Sequence, residues 1–326
     1  MAVDWARFVE VIREHQRFVL TTHIRPDCDA LGSELAMAAI LESLGKHVLI
    51  VNGQATPPNL ACLDPEQRIK TLDEVLAAAL ADAEVLMVLD TSAWVQLGPM
   101  DAILRTTGAH KVVLDHHLSG DDLGAELFKD VEAEATGRLV LEAAEQLGVA
   151  LTASMARALF AAIATDTGWF RFSSTTGGTY RAAGQLVDAG AVPGEMFAAL
   201  YERDTVGRVR LRGVILSRVR TELNGRLVHT WVRQEDFVQT GSLPSDTEDV
   251  INMTLAVAGT EVAVIFVEQP NGTCKVSFRS RGPVDCRRVA EQFGGGGHKA
   301  AAGATISGAP AEVMSRVLEA IRTAMG

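Results

Sequence analysis

The sequence predicts an α/β protein: a doubly wound, mainly parallel sheet domain, then a smaller mixed α/β C-terminal domain, with a cleft between them. In the first half of the chain, continuous apolar strands alternate with helices, as in parallel sheets covered on both faces. From Arg226 the spacing of apolar residues changes, and a hairpin turn is expected at residues 269–272. The length of 326 residues suits two ordinary domains.

Composition narrows the class of protein. Hydrophobic residues make up 48% and charged residues 22% of the chain, which is ordinary for a soluble globular protein. No apolar run reaches the roughly 18–20 residues that span a bilayer, and residues 1–5 lack the pattern of a signal peptide. Four cysteines without C-x-x-C spacing fit a reducing cytoplasm. The net charge of −11 argues against binding long nucleic acid, but it leaves room for short phosphorylated ligands.

The elements of the first half follow from periodicity and from capping residues. Asp4 can cap the first helix. Residues 52–70 are expected to be irregular, because Pro57-Pro58 and Asp64-Pro65 interrupt helices and strands. The expected helices are 5–15, 31–44, 97–106, 136–147, 152–164 and 179–189, and the expected strands are 17–22, 47–51, 84–90 and 111–114.

Polar side chains gather where these strands end. His23 follows the first strand, Asp90 ends another, and the triplet Asp115-His116-His117 follows a third. Sites in open parallel sheets form beyond the carboxyl ends of the strands. The loop after the first strand adds Asp27 and Asp29, and two carboxylates this close together are costly to bury without a cation.

The collected groups indicate a site for two divalent metal ions, because imidazole and carboxylate ligands suit such ions. The charges of four carboxylates balance those of two such cations. Two metal ions about 3.5–4 Å apart can lower the pKa of a shared water and stabilise the attacking and leaving oxygens of a phosphoryl transfer. Asp115 is expected to orient His116. The predicted ligands are His23, Asp27, Asp29, Asp90, His116 and Asp166.

The second half is expected to begin with a helical connector, residues 191–225, so that the domains are 1–190 and 226–326. Arg279 lies on a strand, and a run of four glycines precedes His298. Backbone N–H groups of such a run can bind phosphate. The expected strands are 227–232, 261–268 and 273–280, and the expected helices are 246–258, 285–292 and 309–326.

Together these motifs resemble those of the DHH phosphoesterases with a DHH-associated C-terminal domain, and the resemblance covers nearly the whole chain. In length and domain pairing the chain is most similar to the subfamily of bifunctional oligoribonucleases and 3′-phosphoadenosine-5′-phosphate (pAp) phosphatases. The family often has Ser-Asn after the DHH triplet, whereas this chain has Ser119-Gly120. The matching stretches are His23-x-x-Pro-Asp27-x-Asp29, Asp90, Asp115-His116-His117, Thr165-Asp166-Thr-Gly and Gly294-Gly-Gly-Gly-His298.

The resemblance implies roles for individual residues. One metal would be held by His23, Asp27 and Asp90, and the second by Asp29, Asp90, His116 and Asp166, with Asp90 as the bridge. Manganese is the usual ion of the family. His117 would contact the phosphate or protonate the leaving group, so His117, Asp115 and Asp90 are the expected catalytic residues. A homodimer is also implied. The residues expected to bind the far end of the substrate are Arg279, Ser280, Gly296, Gly297 and His298.

The predicted function is therefore a two-metal hydrolase that cleaves very short oligonucleotides, such as pApA, to mononucleotides and pAp to AMP and phosphate. Three alternatives stay open: a dedicated pAp phosphatase, a cyclic or linear dinucleotide phosphodiesterase, and a non-catalytic nucleotide-binding regulator. A family II pyrophosphatase is disfavoured by the glycine-rich motif, and a long-strand exonuclease by the lack of room for a further nucleic-acid-binding domain. The expected partners are short oligonucleotides or nucleotide phosphates, with no membrane.

Overall fold

A computed structural model describes residues 3–247 and 249–326 of the chain, in two compact units that divide between Arg203 and Asp204. The division falls inside the segment 191–225 that the sequence predicts to be a connector. Met1, Ala2 and Glu248, the last of which falls in the predicted helix 246–258, lie outside the described residues. Among the described residues, no helix is both long enough and apolar enough to cross a membrane.

The first unit alternates strands and helices, as predicted. Its helices and strands, in chain order, are α1 Trp5–Glu14, β1 Arg17–Thr21, α2 Cys28–Ser43, β2 His47–Asn52, β3 Ile69–Thr71, α3 Ala77–Ala81, β4 Val85–Leu89, α4 Trp94–Leu97, α5 Met100–Thr106, β5 His110–Asp115, β6 Glu126–Lys129, α6 Thr136–Leu147, α7 Ala153–Asp166, α8 Gly177–Asp188 and α9 Pro193–Tyr201.

Six strands in the described part of this unit form one sheet in the order β3-β2-β1-β4-β5-β6, and every neighbouring pair is parallel. The predicted doubly wound parallel sheet is therefore confirmed. The chain moves outward from β1 to one edge and then returns to β4 on the other side of β1. This reversal of strand order places the carboxyl ends of β1 and β4 side by side, where ligands bind in folds of this type.

Both faces of the sheet are covered by helices. Along β1, Phe18 and Leu20 pack into one apolar cluster, which includes residues of α2, α6 and α7. Val19, between them, faces the other cluster, which includes residues of α4 and α5. Successive strand residues point to opposite faces, so burial on both faces explains why these strands read as continuous apolar runs.

Helices α2 and α7 approach each other closely on one face of the sheet. A Cβ atom at Gly32 of α2 would overlap the carbonyl oxygen of Ala158 in α7, so only glycine permits this spacing. Asp29 lies one turn before Gly32, and Asp166 is the last residue of α7. The close approach therefore helps to fix the separation between two predicted metal ligands.

The second unit holds the predicted mixed α/β domain. Its strands lie in the order β11-β12-β10-β9-β8-β7, with β8 and β9 parallel and the other pairs antiparallel. The elements are α10 Val206–Ser217, β7 Arg220–Glu222, β8 Leu227–Val232, α11 Gln234–Thr240, α12 Val250–Leu255, β9 Val262–Glu268, β10 Thr273–Ser280, α13 Cys286–Glu291, β11 Gly296–Gly297, β12 Ala301–Ser307 and α14 Pro310–Met325.

The structure corrects several predicted boundaries. Helix α2 begins at Cys28 rather than at residue 31, because Asp27 caps it by accepting from the backbone N–H groups of Asp29 and Ala30. The predicted helix 97–106 is instead two helices, interrupted at Gly98 and Pro99. The predicted helix 246–258 shortens to α12. Sequence reasoning missed the strands β3, β6, β7, β11 and β12 and the helices α3 and α11.

Candidate metal centre

The candidate site lies at the carboxyl end of the parallel sheet, as the sequence predicts. His23 is two residues beyond β1, Asp90 comes directly after β4, and Asp115 is the last residue of β5. Two of the surrounding helices add one carboxylate each: Asp29 from the first turn of α2 and Asp166 from the end of α7.

Three sets of side chains bring possible ligand atoms within 4.8 Å of one another. The sets overlap, so together they form one continuous cluster. It contains all six predicted ligands and His117. The sets are His23 with Asp27 and Asp90; Asp29 with His116 and Asp166; and Asp90 with His116 and His117.

His116 lies at the middle of this cluster. Its Nε2 atom is 3.7 Å from Asp29 Oδ2, 3.6 Å from Asp90 Oδ1 and 3.6 Å from Asp166 Oδ2. Its Nδ1 atom is 3.1 Å from the carbonyl oxygen of Ala133, which can only accept a hydrogen bond. Nδ1 therefore donates to this carbonyl, and Nε2 is the ring nitrogen that faces the three carboxylates.

His23 has the same arrangement. Its Nδ1 atom is 3.0 Å from the carbonyl oxygen of Ile24, and its Nε2 atom is 3.4 Å from Asp90 Oδ2. Because a carbonyl holds Nδ1–H, Nε2 is the nitrogen left for a ligand. Histidines that bind metals commonly have their second ring nitrogen fixed in this way.

Asp29 forms the N-terminal cap of helix α6, although it belongs to α2. Its Oδ2 accepts from the backbone N–H of Thr136 at 2.7 Å, and its Oδ1 accepts from that of Gly137 at 2.8 Å. The N-cap position of α6 is Ala135, which has no side chain that could do this. The helix thus depends on a carboxylate from another segment, and that carboxylate is held rigidly.

Asp90 is fixed by its backbone and by a neighbouring hydroxyl. Its φ of +62° lies in the left-handed region, which is uncommon for residues other than glycine and typical of constrained sites. The hydroxyl of Thr136 donates to Asp90 Oδ1 at 2.9 Å. Thr136 therefore contacts two of the predicted ligands, one through its backbone and one through its side chain.

The electrostatics of the cluster favour cations. Burial raises the pKa of Asp29, Asp90 and Asp166, and repulsion between neighbouring carboxylates adds to the shift. In the described part of the chain, no lysine or arginine pairs with these three residues or with Asp27. A compact group of carboxylates and imidazoles without a basic partner fits divalent metal ions.

Asp115 orients His117, and the expectation that it orients His116 is wrong. Asp115 Oδ1 accepts from Nδ1 of His117 at 2.8 Å and from its backbone N–H at 3.0 Å. Ser92 donates its hydroxyl to Oδ2 at 2.7 Å, and the Lys129 ammonium lies 3.0 Å from the same atom. His116 is instead held by the carbonyl of Ala133, so the two adjacent imidazoles have different supports.

These contacts determine the charges of Asp115 and His117. Burial alone would raise the pKa of Asp115, but hydrogen bonds from His117, Ser92 and Lys129 outweigh it and hold that pKa well below its ordinary value. The hydrogen bond to Asp115 raises the pKa of His117. The imidazolium form is therefore favoured, in a side chain that is half exposed.

This chain has Ser119-Gly120 where the family often has Ser-Asn, and the difference has a steric reason. A Cβ atom at Gly120 would overlap the hydroxyl of Ser92, which is the group that donates to Asp115. Asparagine does not fit at this position with the present backbone. The small residue lets the loop pass over Ser92 without moving Asp115.

The predicted substrate-binding residues all lie in the second unit. Arg279 is half-buried on β10, and Gly296, Gly297 and His298 are exposed. Ser280 is buried and donates its hydroxyl to the carbonyl of Val284 at 2.9 Å. The backbone N–H of His298 donates to the Ala301 carbonyl, so this N–H is already engaged within a turn.

Comparisons with known proteins follow the same division of the chain. "DHH family, N-terminal domain" matches residues 17–163, and "DHHA1 domain" matches residues 226–326. The bifunctional oligoribonuclease and PAP phosphatase NrnA of Thermus thermophilus is 32% identical, over 93% of this chain and 88% of that protein. The chain belongs to the DHH family. The predicted resemblance is thereby confirmed.

One further relative is similar in sequence, and one solved structure is similar in fold. NrnA of Bacillus subtilis is 29% identical, over 91% of this chain and 92% of that protein. The crystal structure of an exopolyphosphatase-related protein from Bacteroides fragilis has the same fold, with a TM-score of 0.84 and 24% identity over 98% of this chain and 94% of that one.

Sequence reasoning found the DHH motifs but missed the residues that support them. Ser92, Lys129 and the carbonyl of Ala133 hold the triplet, and Thr136 with Gly137 binds Asp29 and Asp90. One signal was available: the helix beginning at Thr136 has no capping side chain before it. Its first N–H groups must therefore find an acceptor elsewhere in the fold.

Proposed function

We propose that this protein is a two-metal phosphoesterase that hydrolyses very short oligonucleotides to mononucleotides and pAp to AMP and phosphate. The observation that carries the proposal is the continuous cluster of four carboxylates and three imidazoles at the carboxyl end of the sheet. The activities named for the two NrnA relatives support the choice of substrates.

As the family resemblance implies, the cluster would supply two ligand sets that share Asp90. His23, Asp27 and Asp90 would hold one ion, and Asp29, Asp90, His116 and Asp166 the other. When bound, two such ions supply Lewis acidity and lower the pKa of water near the scissile phosphate. The mixture of imidazole and carboxylate ligands is compatible with manganese, the ion expected from the family.

The chain itself supplies an acid beside the cluster. His117 carries its Nδ1 proton toward Asp115, which leaves Nε2–H of the imidazolium for the departing oxygen of the substrate. Asp115 keeps the ring charged and oriented, and Ser92 and Lys129 keep Asp115 ionised. A positioned general acid of this kind contributes about 100- to 10,000-fold to a rate.

The second unit is proposed to bind the rest of the substrate. The residues 226–326 would form a substrate-binding domain, and residues 1–190 the catalytic domain. Arg279 and His298 offer a cation and an imidazole for a second phosphate. Gly296 and Gly297 would contribute through the backbone, whereas Ser280, whose hydroxyl and backbone N–H both donate within the domain, would act by holding the neighbouring Arg279 in place. A homodimer in the cytoplasm is the expected form, which sedimentation and cell fractionation would test.

The test is turnover by metal-stripped enzyme after addition of manganese, magnesium or cobalt. The substrates are 5′-labelled RNAs from dinucleotides to much longer strands, together with pAp, cyclic di-AMP and pyrophosphate. Dinucleotides and pAp are expected to turn over fastest. Faster turnover of cyclic di-AMP would reassign the substrate, and no turnover with any ion would contradict the proposal.

Asp90→Asn tests whether turnover depends on the metal ligands. Asparagine has the same shape and tolerates the left-handed backbone of this position, but it cannot bridge two cations through charge. Turnover should be lost while the melting temperature of the metal-free protein is retained. A non-catalytic regulator would show the same nucleotide binding with no turnover in the unsubstituted protein.

A further inference from the structure

A cavity of about 420 Å³ in the first unit borders the candidate metal centre. Asp27 and Asp166, which belong to the metal-ligand sets, form one side of it. The remaining lining is mostly uncharged and includes Cys28, Leu60 and Tyr201. The cavity therefore places a phosphate-binding region and an apolar surface next to each other.

The floor of the cavity is an apolar layer that belongs to the core. Cys28 and Leu60 are buried and pack with Leu31, and Leu200 of α9 packs against them. The thiol of Cys62 lies 3.8 Å from the carbonyl oxygen of Ala199 on the same helix. The floor is therefore assembled from two parts of the chain, α9 and the segment that carries Leu60, which contact each other.

One wall is the aromatic ring of Tyr201, which is half exposed. Its ring centroid is 5.5 Å from that of Trp169, at an interplanar angle of 89°, and 5.1 Å from that of Phe197. Trp169 also packs edge-on against Phe160, which is buried in the core. The tyrosine ring is thus held in place by a chain of aromatic contacts that leads to the core.

The backbone that carries Trp169 is unusual. Gly168, Trp169 and Phe170 have φ angles of +57°, +60° and +62°, so three consecutive residues are left-handed. Such a conformation is unfavourable for large side chains and persists only where the surroundings impose it. The Thr167 hydroxyl holds the turn by accepting from the N–H of Phe170 at 3.1 Å. The turn starts two residues after Asp166, so one segment fixes both a metal ligand and the support of Tyr201.

We propose that this cavity is a nucleobase subsite, which receives the base of the nucleotide whose phosphate lies at the metal centre. This inference rests on the proposed function and deepens it. The base would lie on the apolar floor with its face against Tyr201.

The size and chemistry of the cavity support this occupant. Small-molecule sites typically have volumes of about 300–1,000 Å³ and combine an apolar lining with a few polar groups. Bases of any sequence stack on aromatic rings, because every base has a π face. A second phosphate is disfavoured there, since the charged groups that line the cavity, Asp27 and Asp166, are both acidic. The amide of Asn59 at the lining both donates and accepts, so it does not select a particular base.

The test compares ligands with and without a base. Binding of AMP and of ribose 5-phosphate to the manganese-loaded protein is measured by calorimetry. AMP is expected to bind about 5- to 100-fold more tightly, as stacking of one base on an aromatic ring predicts. Tyr201→Ala should remove most of this difference and leave the affinity for ribose 5-phosphate unchanged, whereas Tyr201→Phe should keep it.

Leu76→Ala is the control, because Leu76 is an exposed apolar residue of the first unit that does not line the cavity. It should change neither affinity. Equal affinities of the unsubstituted protein for the two ligands would overturn the subsite, and so would equal losses for both ligands in Tyr201→Ala. Turnover of dinucleotides and pAp is measured separately. The phosphoesterase proposal can therefore fail while the base-dependent binding holds, and the reverse is also possible.

Discussion

His117 and Asp115 form a hydrogen-bonded pair, with Nδ1 of the imidazole 2.8 Å from a carboxylate oxygen that is completely buried. The same carboxylate oxygen accepts from the backbone N–H of His117. One buried carboxylate therefore orients the exposed imidazole, and its hydrogen bond is the largest of the influences that raise the pKa of His117. Ser92 and Lys129 hold the other oxygen, so this partner cannot rotate away without losing two further contacts.

Asp115→Asn should lower the pKa of His117, because the carboxylate that favours the imidazolium is removed. An acid with a lower pKa is protonated over a narrower range, so the basic limb of the pH profile of kcat should move to lower pH. We expect kcat at neutral pH to fall by about 100-fold. The measurement is dinucleotide turnover against pH. Glu132→Gln, an exposed change nearby, serves as the control, and an unshifted profile in Asp115→Asn would argue against His117 as the acid.

Thr136→Val should weaken metal binding without unfolding the protein. The isosteric side chain keeps the packing and the backbone N–H that binds Asp29, but it loses the hydrogen bond to Asp90 Oδ1. Loss of a contact that orients a metal ligand typically costs about 10- to 100-fold in metal affinity. Manganese titration followed by calorimetry measures the effect. Thr136→Ser keeps the hydroxyl and should restore most of the affinity; equal affinities for all three proteins would contradict the assigned role.

Metal binding should release protons. Burial and mutual repulsion raise the pKa of Asp29, Asp90 and Asp166, so the metal-free protein holds protons that the ions must displace. The apparent affinity for manganese should therefore increase as the pH rises from acid toward neutral. Calorimetry in two buffers with different ionisation enthalpies gives the number of protons released. Identical heats in the two buffers would show that the carboxylates are already ionised.

The sequence was sufficient to predict those site residues whose type and position in the chain both indicate a role. Asp90 and His116 could be placed because they directly follow apolar strands, and parallel strands end at one edge. Thr136 could not be placed, since its partner Asp29 is 107 positions away and threonine is common at helix starts. The edge strand β6, which carries Lys129, was missed because only Phe128 among its four residues is buried. Contacts between distant segments depend on tertiary packing, which periodicity does not encode.

Glu34 provides a test of stability against pH. It is completely buried on α2, and Oε2 accepts from the amide of Asn52 at 2.9 Å, while Oε1 has no partner in the described part of the chain. Burial raises its pKa from an ordinary 4.5 to about 8. Between these values the folded protein holds a proton that the unfolded chain releases, so the free energy of unfolding falls as pH rises, at up to about 1.4 kcal/mol per pH unit.

Glu34→Gln should remove this contribution. The variant should lose less stability than the unsubstituted protein between acid pH and pH 8, and it should be the more stable of the two at the upper end. Urea unfolding of the metal-free proteins across this range measures both. Glu14→Gln, at an exposed position of α1, should leave the pH dependence unchanged. A parallel shift of the Glu34→Gln curve at all pH values would mean that folding does not change the pKa of Glu34.

The cap that Asp29 provides for α6 separates folding from metal loading. In small metal-dependent domains the ligands are brought together by the ion, and the chain is unfolded without it. Here the half-positive end of a helix already compensates one of the central carboxylates and holds both of its oxygens. The position of this ligand is consequently set by α6, a part of the fold, as well as by any ion that it binds. Exchange of one metal for another should therefore be a local event, which leaves the sheet and its helices where they are.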